Sequence, residues 1–75
     1  MPTALRNNIR REVLRYMSTQ TAPVRVSNMA QELRNHHERF RGLRDEDFLA
    51  VVQPMIVTGT LRYMPGLKIK ICKDS

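Results

Sequence analysis

Ile56-Val57-Thr58-Gly59-Thr60-Leu61 runs directly into Arg62-Tyr63-Met64-Pro65-Gly66-Leu67-Lys68-Ile69-Lys70-Ile71-Cys72. The apolar period changes within this stretch. Before Gly59, the residues Phe48, Leu49, Val51, Val52, Met55 and Ile56 make one wide helical face. After it, Leu61 and Tyr63 alternate with Arg62 and Met64, and Leu67, Ile69 and Ile71 alternate with Lys68, Lys70 and Cys72, the period of a strand. Gly59 is a good helix stop, and Pro65-Gly66 marks a turn. The spacing predicts a helix over 45–58 and a β-hairpin at 60–64 and 67–72. A two-residue loop would set Arg62 opposite Ile69 and mix the faces. An odd loop keeps the apolar residues together, with Tyr63 opposite Leu67 and Leu61 opposite Ile69. A three-residue loop places Gly66 well but puts Pro65 where proline is disfavoured; a five-residue loop serves equally. The odd register sets Arg62 opposite Lys68 on the outer face, with Lys70 beside them. Like charges across a strand pair are unfavourable, and a polyanion would relieve them. Long basic side chains that splay apart in water, and lysines that guard a sheet edge, account for the same residues without a ligand.

Working back from the hairpin, Asp45 is expected to N-cap the third helix, with Glu46 and Asp47 in its first turn, where the helix dipole favours negative charge. Pro54 removes one backbone bond and is expected to bend that helix. The second helix starts at Ser27 as N-cap, and its stripe of Val26, Met29, Ala30, Leu33, His37 and Phe40 carries it over 27–40, with Gly42 as the residue beyond its end. The alternative is an end near Asn35 followed by an irregular His-rich loop. Val24-Arg25-Val26 reads as a short third strand. The first helix covers 3–18, capped by Thr3, with Leu5, Ile9, Val13, Tyr16 and Met17 on its buried stripe.

The chain has 75 residues, which allows one domain over 1–75 and a single small core. A cleft that encloses a substrate is not expected at this size. Thirteen Lys+Arg against seven Asp+Glu give a formal charge of +6, which points to a polyanion. Residues 1–44 hold +6, residues 45–59 hold −3 and residues 60–75 hold +3. One cysteine, Cys72, excludes an internal disulfide and a thiolate zinc site, and fits a reducing cytoplasm. No run approaches the ~20 apolar residues of a spanning helix, and the arginine-rich start is not a secretory signal. The first helix is basic and amphipathic, but its apolar stripe is needed for the core, so no membrane partner is expected.

The order helix, short strand, helix, turn, helix, hairpin resembles a winged helix-turn-helix domain. Val24-Arg25-Val26-Ser27 leading into Met29-Ala30-Gln31-Glu32-Leu33, and Ile56 to Leu61 leading into the hairpin, carry the resemblance across nearly the whole chain. It implies an α+β fold of three helices and a C-terminal hairpin wing. It also implies duplex DNA as the usual partner, with the third helix in the major groove and the wing on the backbone; a minority of such domains bind proteins. This chain departs from that pattern. Its third helix has no basic residue and exposes Glu46, Asp47, Ala50, Gln53, Pro54 and Val57. Only Gln53 is a good base reader.

The leading expectation is a non-enzymatic DNA-binding module of transcription-regulator type, nucleoid-associated in a bacterial or archaeal cytoplasm. Phosphate contacts would come from Arg25, Arg34, Arg39, Arg41, Arg44, Arg62, Lys68 and Lys70, and base contact from Gln53. The alternative is a protein-interaction domain, with a protein partner or a second copy on Glu46, Ala50, Pro54 and Val57. An RNA-associated module is less favoured: Tyr16, Phe40, Phe48 and Tyr63 all fall on buried stripes and leave no stacking platform. His36 and His37 point about 100° apart on a helix and do not share a metal, so no metal or cofactor is expected. Neither a nucleophile constellation nor a phosphate loop is present, so no enzyme activity and no small-molecule substrate are expected.

Overall fold

The computed structural model describes residues 2–72. Helix α1 spans Thr3–Ser18, strand β1 Val24–Arg25, helix α2 Val26–His36, a 3-10 turn Glu38–Phe40, helix α3 Asp45–Val57, strand β2 Leu61–Met64 and strand β3 Lys68–Ile71. The fold is α+β: three helices and a three-stranded antiparallel sheet in the order β1-β3-β2.

The core is built from the stripes the periodicity marks. Ile9, Val13 and Met17 of α1 meet Met29, Ala30 and Leu33 of α2, Phe48, Val52 and Met55 of α3, and Leu61 and Ile69 of the sheet. Phe40 and Phe48 are both fully buried and meet edge to face, with ring centroids 6.0 Å apart. Burying such a side chain contributes about 1.5–3 kcal/mol, a large share of the stability of so small a domain.

Helix α2 is shorter than the stripe predicts. It ends at His36, and His37 takes an extended backbone with φ −125° and ψ 110°. The 3-10 turn then folds Phe40 back onto the core, where a continued helix would carry it a further turn along the axis. Gly42 is therefore not a helix terminus. The His37 ring packs on Phe40 at 5.1 Å, and its Nε2 lies 3.3 Å from a carboxylate oxygen of Glu12, the buried acid of α1.

The caps also differ from expectation. Pro2, Arg25 and Arg44 occupy the N-cap positions, so Thr3 and Asp45 are first helical residues and Ser27 is the second residue of its helix. Asp47, half-buried rather than exposed, accepts the backbone N–H of Arg44 at 2.9 Å. The stop at Gly59 is as the sequence predicts: its φ is +85°, its N–H reaches the Ile56 carbonyl, and the N–H of Thr60 reaches the Met55 carbonyl at 2.8 Å. Helix α3 runs through Pro54 to Val57, and Ala50, whose carbonyl loses its helical donor, is exposed.

The hairpin has the expected parity but not the expected partners. Leu61 pairs with Ile71, Arg62 with Lys70, Tyr63 with Ile69 and Met64 with Lys68. The register is displaced by one pair of residues because Leu67 belongs to the turn. It has φ +58°, follows Gly66 at φ +86°, and is 67% exposed. Its carbonyl accepts the N–H of Val26 at 3.1 Å, which fixes the turn against the start of α2. Tyr63 is likewise 47% exposed, not buried.

Candidate nucleic-acid interface

Strand alternation puts Lys68 and Lys70 on one face of β3, and antiparallel pairing puts their partners on the same face. Arg25 lies opposite Lys68 across the β1–β3 pair. Arg62 lies opposite Lys70 across the β2–β3 pair. Met64 is the apolar neighbour on that face. Two like-charged pairs thus stand side by side on the outer face of the sheet. Among the described residues, none of the four cations lies within ion-pairing distance of a carboxylate. Each such pair costs about 0.2–1 kcal/mol in a sheet.

Two open concavities border these pairs, with Gln20 of the α1–β1 loop lining both. One, of about 600 Å³, joins Arg25 and Lys68 to Tyr16 of α1 and to Asn28, Gln31, Glu32 and Asn35 of α2. The other joins Arg62 and Lys70 to Thr21 and Cys72. No residue of α3 lines either one. Burial, and then the carboxylate of Glu32, hold the Tyr16 phenol above its ordinary pKa.

The remaining residues marked in the sequence lie elsewhere. Arg34 is half-buried, donates to the carboxylate of Asp45 at 2.7 Å, and sits 5.9 Å over the Phe48 ring. Its charge is engaged within the fold. Arg39 lies 5.7 Å over Phe40. Arg41 and Arg44 are exposed in the segment that leads to α3. Gln53 is exposed on α3, with Glu46, Ala50, Pro54 and Val57, and Val57 is 86% exposed. At the β2–β3 turn a mainly apolar hollow of about 280 Å³ lies between Leu49, Leu67 and Val26, with Asp45 and Glu46 also lining it.

The amides of α2 are not among the site residues expected from the sequence. Asn28, Gln31 and Asn35 are all exposed and recur at i, i+3 and i+7, a spacing visible in the sequence. What no spacing shows is that this row ends beside Arg25 and Lys68. His36 Nε2 lies 3.4 Å from Glu32 and His37 meets Glu12, so the two rings turn to different partners. Among the described residues, no helix is long and apolar enough to cross a membrane.

Comparison with protein-family models, with curated proteins and with solved structures finds no match.

Proposed function

We propose that this chain is a nucleic-acid-binding module of winged-helix type that grips the phosphate backbone of duplex DNA through the outer face of its sheet. The observation that carries this reading is the pairing of Arg25 with Lys68 and of Arg62 with Lys70. A sheet selected for stability alone gains from opposite charges at such positions, whereas a polyanion lying across four cations removes their repulsion. Arginine adds the planar fork that suits a phosphate. Contacts of this kind position a protein on DNA and give salt-dependent affinity with little sequence information. The module acts by binding, as a DNA-associated regulator.

The test is a titration of random duplex DNA by fluorescence anisotropy at several salt concentrations. Four phosphate contacts give a log–log salt slope of about −3 to −4, and Arg62→Ala with Lys70→Ala reduces its magnitude by about 2. Absence of binding at low salt overturns the reading.

A second reading assigns the exposed side of α3 to a protein partner or a second copy. Val57, 86% exposed at the end of a face with Ala50 and Pro54, favours it.

A further inference from the structure

We propose that the concavity between α2, β1 and the end of α1 holds a single nucleotide, with its phosphate on Arg25 and Lys68 and the edge of an amino-bearing base on α2. This rests on the reading of the sheet face as a phosphate-binding surface, and it adds a base-reading site that lies away from α3.

Three observations converge on the site. It is an open concavity of about 600 Å³, room for one nucleotide laid against the surface. Its wall at the sheet carries Arg25 and Lys68, direct cross-strand partners that both line the concavity, so two cations serve one wall. Its wall at α2 carries the amides of Asn28 and Gln31, one turn apart, with Asn35 a further turn along, a row about 10 Å long. Amide side chains donate and accept at once, which matches the mixed edge of adenine.

Glu32 gives the site a direction. It lines the same concavity as the two cations but lies on α2, beyond the first turn of amides. A phosphate is therefore held at the sheet end and repelled from the helix end. A carboxylate only accepts hydrogen bonds, so it takes the exocyclic amine of adenine, cytosine or guanine and meets the O4 carbonyl of thymine or uracil unfavourably. His36, 3.4 Å from Glu32, flanks the carboxylate on the neighbouring side of the helix. The neutral phenol of Tyr16 completes the wall without adding charge.

Fluorescence anisotropy with labelled octamers of dA, dC and dT tests this on the full chain. The wild type is expected to bind the dA and dC octamers at least about fivefold more tightly than dT, and Glu32→Gln to abolish the difference. Asn28→Ala with Gln31→Ala, both exposed positions, is expected to weaken dA binding about tenfold. Equal affinity of the wild type for all three octamers, or unchanged dA binding by the double variant, overturns the pocket. Displacement of the dA octamer by adenosine monophosphate assigns the site to a free nucleotide; retention assigns it to a residue of a strand, and both support the pocket. Random duplex DNA measured in parallel separates the two readings. Duplex binding that survives in the double variant while octamer binding falls supports both. A wild type that binds no duplex overturns the sheet-face reading, while the pocket stands or falls by the octamers.

Discussion

The outer face of the sheet and the exposed side of α3 carry charge of opposite sign, and the fold accounts for only one of them. The acids at the start of α3 have local work. Asp45 pairs with Arg34, and Asp47 accepts the N–H of Arg44. All three acids sit in the first turn, where the helix dipole favours them. The cations of the sheet have no such carboxylate or capping contact among the described residues: Arg25 faces Lys68 and Arg62 faces Lys70, against the electrostatics of strand pairing. Charge that stabilises its own element needs no ligand to explain it, whereas charge set against its own element asks for one. Under the proposed function, the phosphate contacts belong to the sheet, and α3 is a surface of a different kind.

The contrast breaks most visibly under charge reversal. Arg25→Glu with Lys70→Glu turns both like-charged pairs into opposite ones. It is expected to lower duplex affinity by two orders of magnitude or more at low salt, since two phosphate contacts become repulsions. The same variant is expected to gain about 0.5–1 kcal/mol in stability, read from the urea midpoint. A loss of both affinity and stability would show that the cations serve the fold.

A smaller effect separates Arg34 from the four cations of the sheet. Arg34→Ala removes the contact to Asp45 and the cover over Phe48, and is expected to destabilise by about 1 kcal/mol while the salt slope of DNA binding stays unchanged. A slope reduced by about 1 would return Arg34 to the phosphate contacts.

The smallest expected effect belongs to α3. Ala50→Glu with Val57→Glu, both exposed, is expected to leave stability within about 0.5 kcal/mol. Sedimentation and partner capture decide its meaning: unchanged association excludes this face as an interface, and weakened association with intact DNA binding assigns it to a partner.

Much of the architecture is readable along the chain because it rests on local period. The helices at 3–18 and 45–57 and the stop at Gly59 follow from apolar spacing and from the one residue type that takes φ +85° without strain. Helix α2 was readable at its start and not at its end, because Phe40 extends the apolar stripe whether the chain stays helical or folds back through a 3-10 turn. The candidate site divides in the same way. Lys68, Lys70 and Arg62 are visible as the polar side of a hairpin. The amide row of α2 is visible as an exposed face, but neither its spacing nor that of the strands shows that the two surfaces adjoin.

Strand alternation has a period of two, so the sequence alone determines which residues share a face: here Leu61, Tyr63, Ile69 and Ile71 on one, and Arg62, Met64, Lys68 and Lys70 on the other. It does not determine which member of a face meets which, since a shift by two residues preserves every alternation. Tertiary structure decides that. Leu67 enters the turn at φ +58°, its carbonyl receives the N–H of Val26, and β1 is thereby seated on β3. Arg62 then meets Lys70, and Lys68 meets Arg25, a residue 43 positions earlier in the chain. The net charge of +6 was present from the start; that four of the thirteen cations share one face of the sheet is a consequence of that long-range pairing.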